Sequence, residues 1–366
     1  MPILPVLLGA ALAQPPRYQA VVDARFAGRD SAVVDGTPTF HTIGAALRTV
    51  PGENAATFVI FIRNGTYHEK LVVQKPNVTF LGESRAGTVL TWDDAAGTPV
   101  RPGEEIQGAE HGTHGTRNSY TLRIAATDFR AERLTIENGF DFDANAAKPD
   151  TDPTKLRGTQ GVAVMTYDGA DRTTFVDVRL VGYQDTVFPN VGRHYFHHCE
   201  ILGHVDFIFG AGQAVFDDCD IVTRDLHRPQ EGNGYVVAPS TEISKPYGFL
   251  FIHSRLKRET PGVAKGSVAL GRPWHPGARV TAVGSAVFVD CWMDDHIGAK
   301  GWDRMSSVDS VSGVRYWFAP EAARFLEYGS TGPGAIASPT RRVMTDGDLR
   351  TYTPARVLDG WMPTVR

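Results

Sequence analysis

Basic runs, long apolar stretches and recognisable metal or serine-nucleophile motifs are all missing from this chain, and each absence removes a class of function. With no block of Lys and Arg and a net charge of −4, the chain offers no nucleic-acid surface. After the N-terminus no apolar stretch approaches the roughly 20 residues of a membrane-spanning helix. No Gly-x-Ser-x-Gly elbow occurs, so serine-hydrolase chemistry is not signalled. His111 and His114 sit in a Gly/Thr-rich loop, and His194, His197 and His198 cluster before Cys199. Neither group has a third and fourth ligand at metal spacing, and no acidic cluster suits calcium. No metal and no cofactor is therefore expected. Tight hexapeptide periods, the mark of left-handed β-helices, are absent, as are the regularly spaced hairpin turns of a β-sandwich.

What is present is a repeat. Six times a Phe is followed five residues later by Leu, Ile or Met: Phe129…Leu134, Phe175…Leu180, Phe196…Ile201, Phe216…Ile221, Phe251…Leu256 and Phe288…Met293. Short strand-like runs rich in Val, Ile, Phe and Thr surround them: Thr57–Ile62, Leu71–Val73, Val78–Leu81, Tyr120–Ile124, Val162–Met165, Val187–Phe188, Phe207–Phe209, Val236–Ala238 and Val280–Ala282. Coils of 20 to 25 residues with parallel stacking indicate an all-β, right-handed parallel β-helix. An amphipathic helix over about His41 to Thr49, ended by Pro51, is expected to cap the first coil. Asp141–Gly158 and Arg224–Gly234 read as long loops. Pro320–Tyr328 reads as helical, followed by a tail with a short helix near Asp346–Tyr352 that packs back along the coils. A composition of 42% hydrophobic and 21% charged residues fits one folded domain, since a solenoid grows by adding coils and needs no second core. Capped ends point to a monomer.

The N-terminus carries an export signature. Ile3 to Leu12 is apolar, and Ala11-Leu12-Ala13 has the small-x-small form of a cleavage site before Gln14. Residues 1–13 are thus expected to be a signal peptide, leaving a domain of 14–366 with coils over about 32–315 and a tail over 316–366. Secretion to the periplasm or the exterior follows. An oxidising compartment bears on the scarce cysteines, three in the chain. Cys199 and Cys219 occupy the same position of adjacent repeats, which would put their Cα atoms about 5 Å apart, within disulfide range. Stacked reduced thiols are the alternative. Cys291 lies beyond a coil whose slot is held by Ser254, and is expected to be free and buried.

The repeat also aligns two carboxylates. Asp185 lies ten residues after Phe175, and Asp206 ten after Phe196. On neighbouring coils these stack about 4.8 Å apart, too close for both to ionise comfortably. One acid and one carboxylate side by side are the parts of acid/base or nucleophilic catalysis; a polar ladder inside the solenoid would use the same spacing. Arg272, in Leu270-Gly271-Arg272-Pro273-Trp274, could hold one carboxylate charged with its fork. Gln160 and Gln184 could donate neutral N–H groups to an oxyanion. Trp274, with Phe188 and Phe209, could face a sugar ring.

Taken together, these segments resemble the pectin methylesterases, carbohydrate esterases acting on homogalacturonan. The resemblance runs from about Ala32 to the C-terminus. It rests on Phe40-His41-Thr42-Ile43, on Asn64-Gly65-Thr66-Tyr67-His68-Glu69-Lys70, and on Gln160-Gly161-Val162-Ala163-Val164. Gln184-Asp185-Thr186-Val187, Asp206-Phe207-Ile208-Phe209-Gly210 and Leu270-Gly271-Arg272-Pro273-Trp274 complete it. His275-Pro276 and Gly301-Trp302-Asp303-Arg304-Met305, with the Cys199–Cys219 pairing, are more similar to bacterial members than to plant ones. The resemblance implies Asp206 as nucleophile, Asp185 as acid/base, Gln160 and Gln184 at the oxyanion, Arg272 orienting Asp206, and Trp274, Phe188 and Phe209 against pectin. Gly161 and Val187 depart from the family's usual Ala and Leu, and the loops Asp93–Thr116 and Asp141–Gly158 match least. Two rivals remain: a β-helix glycosidase or lyase on the same polymer, and a related esterase or thioesterase with a non-pectin acyl substrate. An inverting glycosidase wants carboxyls roughly 6.5–9.5 Å apart, wider than stacked coils provide.

Overall fold

The computed structural model describes residues 18–106, 108–109, 111–227 and 232–365. The expected signal peptide and the tip of the Arg224–Gly234 loop lie outside these. Three parallel sheets of twelve, eight and seven strands run the length of the molecule, and each full coil gives one strand to each sheet. One coil, for example, contributes Arg193–His197, Glu200–Gly203 and Val205–Gly210. The architecture is the right-handed parallel β-helix.

Phe175, Phe196, Phe216, Phe251 and Phe288 stand opposite one another on successive strands of the largest sheet. Their rings stack inside the solenoid with centroids 4.5 to 4.7 Å apart and planes within 11° of parallel. Each such contact adds about 0.5–1.5 kcal/mol beyond the burial of the rings themselves. Phe129 breaks the pattern. Ala131, not Phe129, is the residue opposite Phe175, and Ile136, not Leu134, is opposite Leu180. A slip of two residues leaves side chains on the same face of a strand, so Phe129 is still buried and still touches Phe175, but tilted at 59°.

The corner after each of these strands is a single residue in the left-handed region: Asp177, His198, Asp218, His253 and Asp290, with φ of 49° to 53°. Asp and His tolerate that conformation better than branched residues do. The next residue turns inward, and this is where the cysteines lie. Cys199, Cys219 and Cys291 are all buried free thiols, which corrects the expected Cys199–Cys219 disulfide. Cys199 Sγ donates to Phe175 O and His197 O, and Cys219 Sγ to Phe196 O and Asp217 O, at 3.4 to 3.5 Å. The Cys199 side chain lies beside the Cys219 thiol, whose pKa burial raises well above the usual range.

The capping helix spans Ile43–Arg48, with Thr42 accepting from the Ala45 N–H. Glu69 accepts from the Ile43 and Gly44 N–H groups, satisfying two of the donors every helix start leaves unpaired. Tyr67, two residues earlier, is buried and donates to Arg63 O. The Gly-x-Tyr-x-Glu segment is thus a structural clasp. At the other end, Pro320–Ala322 is a single 3-10 turn and Arg324–Tyr328 is a strand, not the continuous helix expected. Its alternating burial and its pairing with Ser285–Val289 make it the last strand of the largest sheet. Val280–Ala282 forms a turn with one bridge to Glu242 in place of a strand. Asp141 caps a short helix, Phe142–Ala147, within the expected loop. The tail returns along the coils: Val357 and Leu358 bury against Tyr195, Val215 and Leu250, and Gln213 donates to Val357 O.

Candidate active site

Asp206 enters the strand Val205–Gly210, and Asp185 lies just before Val187–Pro189. Val187 stands opposite Ile208, so residues 21 apart share a level and the two aspartates face the same side of adjacent coils. Both take left-handed backbone, with φ of 64° at Asp185 and 51° at Asp206. Non-glycine residues held there concentrate at functional sites. The side chains are 9% and 5% exposed.

Two coils further on, Arg272 follows the strand Val268–Gly271, its N–H bonded to Val237 O. Gly271 is required at the preceding position, because a Cβ there would meet Val237 O at 2.4 Å. The guanidinium donates from Nε to Asp206 Oδ1 at 2.9 Å and from Nη2 to Oδ2 at 2.6 Å. It also lies 3.9 Å over the ring of Tyr235, a partner the sequence reading missed. Tyr235 sits on the intervening coil, opposite Val205 and Ala269, and nothing local to it announces the contact.

Asp185 receives no side-chain hydrogen bond among the described residues. Burial raises its pKa well above the usual carboxylate range, and the charge of Asp206 raises it further. Burial raises Asp206 above the usual carboxylate range too, but there the charge and hydrogen bonds of Arg272 oppose the rise. The pair therefore holds its proton on Asp185 and its negative charge on Asp206.

Gln160 and Gln184 form a bridge between neighbouring coils, with Gly161 N–H donating to Gln184 O. Thr159 donates to the Gln184 side-chain oxygen at 3.3 Å. Gly161 sits where a Cβ would come within 2.4 Å of Asn138 Oδ1, so alanine would fit only if Asn138 shifted. Phe188 and Phe209 stack with centroids 4.0 Å apart, and Trp274 leans on both at about 60°.

Asp185, Asp206, Arg272, Gln160, Gln184, Phe188, Phe209 and Trp274 line one groove of about 650 Å³. Thr116, Arg117, Met305 and Ser310 are also in its walls. The sequence reading singled out none of these four for the site, since they come from irregular loops and a hairpin (Met305–Val308 with Arg315–Phe318) outside the repeat. The histidines lie elsewhere. His194 is buried between Thr166 and Thr173, and His114 beside Asp94 and Glu104. No group of three or more His, Cys, Asp or Glu is arranged to hold a metal among the described residues. Chemically, the groove presents a fixed carboxylate, a neighbouring acid, neutral amide donors and an aromatic wall.

The chain is similar to known proteins over most of its length. The chain is 44% identical over 337 residues to Pectinesterase A of Dickeya chrysanthemi, covering 89% of each protein. A pectin methylesterase solved in complex with a hexasaccharide matches at a TM-score of 0.87 and 42% identity, over 96% of this chain and 100% of that one. The pectin methylesterase from Yersinia enterocolitica matches at 0.82 and 45%, over 88% and 99%. The family model described as Pectinesterase matches residues 31–359, and the chain belongs to that family.

Proposed function

We propose that this protein hydrolyses the methyl esters of galacturonate C6 carboxyls in pectin, releasing methanol and leaving pectate. The observation that carries the reading is Asp206, forked by Arg272, beside the buried Asp185, whose carboxyl has no hydrogen bond among the described residues.

An Asp206 carboxylate oxygen attacks the ester carbonyl carbon. The oxygen that becomes negative is met by the amide donors of Gln160 and Gln184, which are neutral and so do not quench the nucleophile. The C–O bond to the methoxy group breaks, and methanol leaves with the proton of Asp185. Asp185 is then a base: it takes a proton from water, whose oxygen attacks the acyl carbon, and the bond to Asp206 breaks. Asp206 is freed as a carboxylate and Asp185 is protonated again. Arg272 keeps Asp206 ionised and aimed throughout, and the aromatic wall of Trp274, Phe188 and Phe209 gives the sugar ring an apolar face.

A polymeric substrate of this kind is met outside the cell, in keeping with the signal sequence read at residues 1–13, and a single copy carries the whole site. Methanol release from highly methylated pectin, with reducing ends and unsaturated product followed in the same tube, tests the reading. Methanol without chain cleavage is the expected result. No methanol from folded protein would transfer the aspartate pair to a different acyl substrate, and chain cleavage would point to a glycosidase or lyase.

A further inference from the structure

The groove is lined by two acidic residues and two cationic ones, Asp185, Asp206, Arg272 and Arg117. Arg272 is committed to Asp206 through both arms of its fork. Arg117 is different: no carboxylate lies within ion-pair distance of it among the described residues, and it is exposed to the groove. Its neighbour Arg123 makes the contrast. Both guanidiniums lie over the ring of Tyr167, at 5.6 and 5.3 Å, but Arg123 is paired with Asp168.

The backbone that presents Arg117 is held firmly. Arg117 is the middle residue of the 3-10 turn Thr116–Asn118. The Asn118 side chain donates to His114 O, and Lys70 donates to Asn118 O. Lys70 is in turn bound to Asp94, a carboxylate 1% exposed that also accepts from Trp92 and Arg101. This network ties the turn to the coils, so the guanidinium is offered from a fixed point.

We propose that Arg117 is a specificity-determining residue that binds a free galacturonate carboxylate at a subsite beside the reacting ester. The inference rests on the pectin esterase reading above. Each turnover converts a neutral ester into a carboxylate, so a partly processed chain carries the anion that a guanidinium fork recognises, and a fully esterified chain does not. Arg117 would then favour esters that neighbour an already hydrolysed residue and would retain the anionic product.

The test compares wild type with Arg117→Gln and Arg117→Lys on two galacturonate oligomers of equal length, one fully methylated and one half de-esterified. Methanol release gives kcat and KM for each, at low and at moderate salt. For wild type the half-esterified oligomer is expected to be preferred, through KM, with the preference weakening as salt rises. Arg117→Gln is expected to reduce that preference about tenfold and to remove its salt dependence, with Arg117→Lys between the two. Calorimetric titration with fully de-esterified oligogalacturonate reads the same contact without turnover, and Kd is expected to rise about tenfold in Arg117→Gln. An unchanged substrate ratio and unchanged Kd would overturn the role of Arg117 while leaving the esterase intact. Methanol from neither oligomer would overturn the esterase reading, and this proposal with it.

Discussion

Arg272→Lys keeps the positive charge and removes the fork, which makes it the sharpest probe of the site. In the native structure two charge-assisted hydrogen bonds, at 2.9 and 2.6 Å, hold a carboxylate that is 5% exposed. Lysine can replace one of them. The other contributes about 1.5–3 kcal/mol, and the guanidinium's contact with Tyr235 adds about 0.5–2 kcal/mol. A loss of about 2–5 kcal/mol of that organisation at the transition state is a fall in kcat/KM of about 30- to 5,000-fold. The sign of the pH effect follows from the same contacts. Burial pushes the Asp206 carboxyl up and Arg272 pulls it down, so weakening the pull shifts the acid limb of the rate profile to higher pH. Methanol release measured across pH, alongside circular dichroism to establish folding, reads both effects. A folded variant with near wild-type rate and an unmoved acid limb would refute the assignment of Arg272 as the group that keeps Asp206 ionised.

Asp206→Asn is expected to lower turnover at least about 10³-fold, because an amide cannot form the acyl intermediate; single-turnover methanol release checks it. Asp185→Asn is expected to cost activity yet raise Tm near neutral pH. The raised pKa of Asp185 means the fold loses stability as pH rises from the ordinary carboxylate range through the folded value, and the amide avoids that loss. The difference should vanish in acid, where Asp185 is protonated in both states, and Tm measured at two pH values decides it. Burial lowers the pKa of His194 and of His296 to about 4, so stability should fall as pH drops from about 6.5 to about 4, as unfolded histidines take up protons. His194→Gln should flatten that slope in urea titrations, and an unchanged slope would exclude His194 as its source. Thiol counting in denaturant without reductant should find three free thiols; one would restore the disulfide.

Particular residues show how much could be read in advance. The stacking of Phe175, Phe196, Phe216, Phe251 and Phe288 follows from equal spacing alone, and so does the pairing of Asp185 with Asp206. Where spacing is not equal the reading slipped. Phe129 is two residues out of register with Phe175, and the chain between them carries the long Asp141–Gly158 insertion. Arg324–Tyr328 reads as helix by composition and becomes a strand because Ser285–Val289 leaves an open edge beside it. The cysteine pair sits side by side as the spacing requires, yet both thiols are free, and spacing carries no information on oxidation state.

Arg272, Gln160, Gln184 and Trp274 were candidates whose roles came from family resemblance, but the chain by itself determined the solenoid and the level at which the two aspartates meet. These depend on translation along a repeat, which is countable in one dimension. Only the tertiary structure decided that the Arg272 fork reaches Asp206 across 66 residues, that Tyr235 lies beneath it, and that Thr116, Arg117 and Met305 wall the groove. The first two depend on side-chain direction, and the groove walls on loops with no period of their own, held by pairs such as Lys70 and Asp94, 24 residues apart. Their positions are set by closure in three dimensions, and no local pattern encodes it.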